Sequence, residues 1–284
     1  MFHRVNEVDD SSASHAPFLG FSVVMPLSPY PPFPMITITH RHRIRIATLS
    51  HGKANAFDLE LSQAIVQAVA DFERSADAAL IITGQGTMFS AGVDLLRVVD
   101  GGADYVRAFL PVLSAAFEMV FACAKPVVAA INGHAIAGGC VLAAAADHRV
   151  MARGSGRIGI PELRVGVPFP TVPLEIMRFA ATRHLPALVY GGATFMADDA
   201  LARDIVDGIA DPEGLIDAAA AVAEQLATLP PPVFALTKRA VRAPTLERIR
   251  AGEAHDRAVA DVWAAPETIA HIREYIARTF RKPS

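Results

Sequence analysis

The run KPVVAAINGHAIAGGCVL, residues 125–142, restricts the possible folds of this chain more than any other feature. An apolar stretch is followed by Asn132-Gly133, then by Gly138-Gly139, and then by small side chains. This pattern predicts a buried strand that passes through a glycine turn into a closely packed helix. The first N–H groups of such a helix lack partners, and glycine lets a ligand approach them. Two explanations stand at this point, close helix packing or a backbone site for a ligand.

A second segment, LIITGQGTMFSAGVDL at residues 80–95, has the same organisation of buried strand, glycine-bearing turn and helix start. For either turn alone, ordinary turn chemistry is a sufficient explanation. Two such turns that face each other can direct two amides at one oxygen, which is an oxyanion hole. A dinucleotide site fits less well, because Phe89 stands where G-x-G-x-x-G requires its third glycine. The sequence also lacks a Walker GK[ST] motif.

Strand and helix patterns alternate through the first two thirds of the chain. Residues 36–40 and 43–50 have period-two alternation and predict a hairpin. Asp58 is the expected N-cap of the next helix. That helix should bury one face, formed by Leu61, Ile65, Val69 and Phe72. Further buried strands are expected at 78–84, 126–130 and 148–152, so the fold class is α/β with a parallel element in its sheet.

The remaining segments predict mostly helix. Residues 103–123 read as a long helix that is kinked or restarted at Pro111, and the pattern is helical after about residue 196. The chain is thus divided into three parts: a flexible N-terminal extension (1–34), an α/β core (35–195) and a helical C-terminal region (196–284). The proline-dense, acidic composition of the extension is typical of a segment without a packed core.

Composition excludes several function classes for this 284-residue chain. The net charge is −3 and 19% of the residues are charged, which does not favour a nucleic-acid partner. The two cysteines, Cys123 and Cys140, have neither CxxC spacing nor a nearby histidine cluster. They predict no disulfide framework and no metal site, and they favour the cytoplasm. No apolar run is long enough to predict a membrane partner.

The glycine turns, together with HGKANAFDLEL and GIPELRVGVP, resemble the enoyl-CoA hydratase/isomerase (crotonase) family from about Ile36 to the C-terminus. The resemblance implies a spiral ββα core followed by a helical trimerisation region. It implies a coenzyme A thioester as the substrate, with no cofactor bound permanently. It also implies self-association as a homotrimer or a dimer of trimers.

The resemblance assigns catalytic roles residue by residue. The backbone N–H groups of Val93 and Gly138 would form the oxyanion hole, and Glu162 would be the acid/base. Hydratases of the family use two glutamates, the first of them three residues after the oxyanion glycine. That position is Val141 here, and residues 169–171 supply no carboxylate at the place where some relatives have an aspartate.

The same resemblance gives a set of residues around the substrate and the coenzyme. They are Ala56, Ala91, Gly92, Asp94, Gly139, Val141, Phe280 and Lys282. Asp94 also reads as a helix N-cap, and a solvated tail is the alternative for the last two. His134 and Cys140 are weaker candidates, for which a turn cap and a buried thiol are the commoner roles. Asp147 is expected to tether the strand that follows it, through a salt bridge or backbone hydrogen bonds. Periodicity does not separate pocket from core for Phe109, Phe117, Phe121 and Phe169.

One carboxylate in an apolar pocket has a raised pKa and can carry a proton from C2 to C4 of an enoyl thioester. Adding water ordinarily requires a second group to orient the water. The sequence therefore favours double-bond isomerisation. Two alternatives stay open: a hydratase with a non-standard second catalytic group, and a non-catalytic acyl-CoA-binding protein.

Overall fold

The structure is a computed structural model that describes residues 35–181 and 183–279. Its strands are β1 Ile36–Arg41, β2 Ile44–Leu49, β3 Ala79–Gly84, β4 Met88–Ser90, β5 Val127–Ile131, β6 His134–Ile136, β7 His148–Ala152, β8 Ile158–Gly159, β9 Thr194–Phe195 and β10 Gly208–Ala210. Its helices are α1 Leu59–Arg74, α2 Leu95–Ala122, α3 Gly138–Ala145, α4 Glu162–Val165, α5 Thr171–Ala180, α6 Leu185–Gly191, α7 Ala197–Leu201, α8 Leu215–Ala227, α9 Pro231–Arg250, α10 Glu253–Ala264 and α11 Pro266–Thr279. The expected extension, residues 1–34, lies outside the described residues.

The main sheet has the strand order β1-β2-β3-β5-β7-β10. β1 and β2 form the predicted antiparallel hairpin, and every other pair in this sheet is parallel. The central strands are apolar throughout because both faces are covered. Ile81 and Val128 pack on one side against α8, while Leu80 and Ile82 face the larger core that contains α1, α2 and α3.

A second sheet, with the order β4-β6-β8-β9, gives the core its spiral. A strand of the main sheet is followed by a short strand of the second sheet and then by a helix. This unit occurs three times along the chain, as β3-β4-α2, β5-β6-α3 and β7-β8-α4. The ββα core is therefore confirmed, and the helices α2, α3 and α4 all start just after the second sheet.

Two predicted caps are confirmed, and one predicted kink is wrong. Asp58 accepts from the amide of Leu61 at the start of α1, and Asp94 caps α2 in the same way. The break in α2 falls at Gly102 (φ +61°, ψ −152°), not at Pro111. Glycine adopts a positive φ of this kind without strain. Proline has a φ close to the helical value, so Pro111 stays within the helix and only removes one hydrogen bond.

Helix α2 is long and apolar enough, by length and composition alone, to cross a membrane. Many of its apolar side chains, among them Val106, Phe109 and Phe117, are fully buried in the protein core, although Leu96 near its start is 59% exposed. α2 also packs against α1, α10 and α11. A helix buried in a protein core can have the same length and apolar composition as one that crosses a membrane.

The stretch after residue 196 is not uniformly helical as predicted. α7 ends at Leu201, Asp204 has a φ of +56°, and Gly208–Ala210 forms a strand parallel to β7. The Asp207 carboxylate accepts hydrogen bonds from both the amide and the guanidinium of Arg149 on β7, at 2.6–2.8 Å. These bonds hold β10 at the sheet edge, so the main sheet takes its last strand from beyond residue 196.

Candidate active site

The first glycine turn follows β4 and is closely packed against the second turn. Gly92 has a φ of +89°, and a Cβ at this position would lie 2.7 Å from the Cβ of Ala137 and 2.8 Å from the carbonyl oxygen of Ile136. A side chain here would both strain the backbone and separate the two turns. Glycine is therefore required for the two turns to meet.

The Val93 amide is left free by the local pairing of strands. Val93 and Phe57 form a parallel bridge, in which Phe57 N donates to Gly92 O at 2.7 Å and Asp94 N donates to Phe57 O at 2.9 Å. The N–H of Val93 consequently points away from Phe57. It donates to no group in the described part of the chain.

The second free amide belongs to Gly138, the first residue of α3. Its neighbour Ala137 has a φ of +53° and donates to Gly159 O at 2.8 Å, which holds the turn open at the helix start. Within residues 35–181 and 183–279 the Gly138 amide finds no acceptor, as is usual in a first helical turn. A Cβ built on Gly92 would lie 3.3 Å from this nitrogen. The two glycine turns thus place two unpaired amides close together.

Both amides belong to residues that line a cavity of about 630 Å³. Val93, Gly138, Val141 and Glu162 are all among its lining residues. One end is formed by the loop His51–Ala56 together with the exposed residues Ala91 and Leu96. The other end is apolar and buried, and it includes Leu113, Phe117, Val167, Phe169 and Trp263.

Glu162 is positioned by the short helix α4, of which it is the first residue. Gly166 ends this helix in the left-handed region (φ +90°) and donates to the carbonyls of Glu162 and Leu163. A Cβ on Gly166 would lie 2.4 Å from Cδ2 of His271 on α11. Glycine is needed at this position for both reasons, and α11 thereby packs against the segment that carries Glu162.

The Glu162 side chain has no charged partner within the described residues 35–181 and 183–279. Its Oε2 atom is buried and makes no hydrogen bond to any described group. Burial raises the pKa of Glu162 to about 8, and a hydrogen bond from its own main-chain amide opposes this rise only in part. A carboxyl group of this kind exchanges a proton near neutral pH.

In the part of the chain that the structure describes, the region around Glu162 offers no second carboxylate for proton transfer. Val141 is 1% exposed and lines the cavity. Phe169 and Pro170 also line it, and none of the three has a carboxylate. Asp94 also lines the cavity, but its carboxylate accepts from the amides of Leu96 (3.0 Å) and Arg97 (3.1 Å). Asp94 is thus a helix cap, and among the carboxylates of the described residues that line the cavity only Glu162 has a buried oxygen without a hydrogen bond.

The residues expected around the substrate differ in whether they line the cavity. Ala56, Ala91 and Val141 line the cavity, whereas Gly92 and Gly139 do not. A Cβ on Gly139 would lie 2.5 Å from Ser90 O, so this glycine allows α3 to pack against β4. Both glycines serve the close approach of backbone segments, and their contact with a substrate stays a prediction. Phe280 and Lys282 lie outside the described residues.

The structure separates the remaining candidates. Phe117 and Phe169 line the cavity, while Phe109 and Phe121 belong to the core. His134 is part of β6 and is not among the cavity residues. Cys140 is 1% exposed, and burial raises the pKa of its thiol well above the usual range, so the thiol stays protonated.

Asp147, at the C-terminal end of α3, forms ion pairs as expected, but it holds β5 and α9 and not the strand that follows it. Its carboxylate accepts from Val127 N at 2.8 Å, from Lys238 Nζ at 2.7 Å and from Arg242 at 2.8 Å. Arg242 also donates to the carbonyls of Ala145 and Ala146, which end α3. α9 thereby fixes the helix whose first amide faces the cavity.

Sequence reasoning missed residues that shape both ends of the cavity. Asn55, buried with a φ of +46°, donates to Met88 O and Phe89 O at 3.1 Å and so holds the loop before α1 against β4. An asparagine in a glycine-bearing loop is a usable signal for such a turn. His51 bonds to Asp58 at 2.6 Å. Trp263 lies about a hundred residues from Glu162 in sequence, and no local pattern places it in the cavity.

The fold and this site define the class of protein: an α/β enzyme whose apolar cavity contains two neighbouring free backbone amides and one buried acid. The model of the enoyl-CoA hydratase/isomerase family matches residues 41–273. The chain therefore belongs to this family, the crotonase family, whose substrates are acyl-CoA thioesters. In the described residues no group of three His, Cys, Asp or Glu side chains is placed to hold a metal ion.

Individual relatives carry different activities in their names. A putative enoyl-CoA hydratase of Thermus thermophilus is 33% identical over 208 residues, which cover 72% of this chain and 82% of that protein. The solved enoyl-CoA isomerase of Mycobacterium tuberculosis is 34% identical with a TM-score of 0.72 and coverage of 79% and 98%. The human mitochondrial delta3-delta2-enoyl-CoA isomerase has a TM-score of 0.82 with coverage of 86% and 98%, and its 21% identity supports the fold alone.

Proposed function

We propose that this enzyme moves the double bond of an enoyl-CoA thioester, with Glu162 as its acid/base. The observation that carries the proposal is the buried, unpaired Oε2 of Glu162 in a cavity where Val141 replaces the second carboxylate of a hydratase. A proton shift needs one group that can take and return a proton. Hydration needs in addition a group that orients water.

The proposed reaction uses the groups of the cavity in sequence. The thioester carbonyl accepts hydrogen bonds from the amides of Val93 and Gly138. The ionised Glu162 removes a proton from C2, and the electron pair of that C–H bond delocalises onto the thioester oxygen as a dienolate. Glu162 then returns the proton to C4, which leaves the double bond between C2 and C3. Each oxyanion donor is worth about 2.7–4 kcal/mol of barrier in comparable sites.

The coenzyme part of the substrate is proposed to lie at the exposed end of the cavity. The loop His51–Ala56 and Ala91 form this end, and backbone groups there are available to adenine and pantetheine. Contacts from Phe280 and Lys282 stay a prediction.

Hydration is the second candidate, favoured by the name of the Thermus thermophilus relative. The two activities are separated by incubating 3-enoyl-CoA and 2-enoyl-CoA in D₂O and following C2, C3 and C4 by NMR. We expect deuterium at C2 and C4 and double-bond migration, with little 3-hydroxyacyl-CoA. Val141→Glu should raise the yield of 3-hydroxyacyl-CoA at least about tenfold, because it restores a second carboxylate beside the first. Efficient hydration by the unmodified enzyme would overturn the proposal.

We also propose that the chain assembles as a homotrimer or a dimer of trimers. Helix α9 supports this, because its Val233, Leu236 and Val241 are more than half exposed, and such apolar surfaces favour association. Sedimentation velocity of the purified chain is the direct test.

A further inference from the structure

The cavity differs sharply in exposure between its two ends. At one end Leu96 is 59% exposed, and Lys53 and Ala91 are exposed as well. At the other end Leu113 and Trp263 are each 3% exposed. A thioester whose carbonyl lies at Val93 and Gly138 can direct its bulky polar coenzyme only toward the exposed end. Its acyl chain must therefore extend toward Trp263.

Trp263 is held in a fixed position at this buried end. Its indole nitrogen donates to Pro168 O at 2.9 Å, in the segment that follows α4. With its single N–H used in this way, the indole presents only apolar surface to the cavity. An acyl chain that reaches Trp263 thus meets a wall with no free hydrogen-bonding group on the indole.

The wall behind the acyl chain is rigid because α10 binds it at three points. Besides Trp263, His255 Nε2 lies 2.9 Å from Phe169 O, and the Asp256 carboxylate accepts from Thr171 N at 2.7 Å. The segment they hold also contains two prolines, Pro168 and Pro170, which restrict its backbone. This segment has little freedom to move aside for a longer ligand.

We propose that Trp263 is the end stop of the acyl cavity and sets the longest hydrocarbon chain that the enzyme accepts. The inference rests on the proposed function in that an acyl-CoA must occupy the cavity, but it does not depend on which reaction follows. In a closed apolar pocket, one methylene is worth about tenfold or more in discrimination. The affinity for acyl-CoA should therefore fall abruptly at one chain length.

The test measures dissociation constants of saturated acyl-CoAs from butyryl-CoA to palmitoyl-CoA by calorimetry, for the full chain and for Trp263→Phe and Trp263→Ala. We expect both variants to bind the first chain length that the parent rejects, with a gain of about tenfold or more relative to the longest accepted one. Trp263→Phe keeps an aromatic ring and guards against a folding failure of the alanine variant. Val262→Ala, on the same helix but 46% exposed and not among the cavity residues, should leave the ratio unchanged.

Fluorescence gives an independent readout, because Trp263 is the sole tryptophan of the sequence. Emission should change with acyl-CoAs long enough to reach the indole and stay constant with free CoA. An unchanged length profile in both folded variants would overturn the end stop and place the chain terminus elsewhere, for example beside Tyr275 and Ile276. If the parent protein binds no acyl-CoA, the proposed function fails too. If it binds them with the expected cut-off but has no isomerase activity, only the proposed function fails.

Discussion

Two carboxylates lie near the two ends of helix α3, and they differ in their hydrogen-bond and charge partners. Glu162 lies near the N-terminal half, where the amides of Val93 and Gly138 are also unpaired. Asp147 follows the C-terminal end and is bound by Lys238, Arg242 and the amide of Val127. Buried polar groups in native proteins are nearly always paired, so the unpaired end is the exception that requires an explanation.

The comparison shows how one short helix serves stability at one end and chemistry at the other. Around Asp147, charges and helix carbonyls compensate one another, which fixes α3 in place. Around Glu162, the missing partners leave a raised pKa and two N–H groups that a substrate oxygen can occupy. Unsatisfied groups cost folding free energy, and active sites are where proteins retain that cost.

The largest expected effect is the loss of turnover in Glu162→Gln. The amide is nearly isosteric but cannot carry a proton, so kcat should fall about 10²–10⁴-fold. The dissociation constant for a saturated acyl-CoA should change little, since the acid is not needed for binding. Deuterium incorporation at C2 by NMR gives the rate, and calorimetry gives the affinity. Turnover within a few-fold of the parent enzyme would remove Glu162 from the mechanism.

Asp147→Ala should produce the opposite pattern. Removing this carboxylate leaves Lys238 and Arg242 buried without their partner, which costs about 3–5 kcal/mol of unfolding free energy. Urea denaturation measures this loss. The kcat of the remaining folded enzyme should stay within a few-fold of the parent value.

The matched control is Asp261→Ala, which breaks an exposed ion pair with Arg107 and should cost about 0–1 kcal/mol. If Asp147→Ala were no more destabilising than this control, the network at the C-terminal end of α3 would not be the anchor that the comparison requires.

Local patterns in the sequence were sufficient for the parts of the fold that depend on near neighbours. The hairpin, the caps Asp58 and Asp94, and the strands that flank the glycine turns are all confirmed. Each follows from a periodicity or a cap within a few residues.

The features that were missed depend on distant contacts or very short elements. β8 has two residues and β10 has three, too few for a periodicity, so local pattern predicted neither strand, and the ββα core was expected only from the family resemblance. The helix was expected to begin at residue 103 and to break at Pro111, because proline removes a hydrogen-bond donor, whereas α2 begins earlier and breaks at Gly102. Trp263 reaches the cavity through the packing of α10 on α2, which no local pattern reports.

The smallest expected effect is a dependence on pH. It tests whether the Glu162 carboxylate lacks partners, and not only whether the residue is required. Burial raises the pKa of Glu162 to about 8 from an ordinary value near 4.5. Removal of the C2 proton requires the carboxylate, so kcat/KM should rise about tenfold per pH unit from pH 6 and level off above pH 8.

The same shift has the opposite sign for stability. Between pH 4.5 and 8 the folded state keeps a proton that the unfolded state has released, so the contribution of Glu162 to folding falls as pH rises through this window. Glu162→Gln should remove that slope, whereas Asp147→Ala should leave it intact. Urea titrations at pH 5, 6.5 and 8 measure all three proteins. A flat rate profile from pH 6 to 8, with no difference in slope between them, would mean that Glu162 is as well compensated as Asp147, and the contrast between the two ends of α3 would disappear.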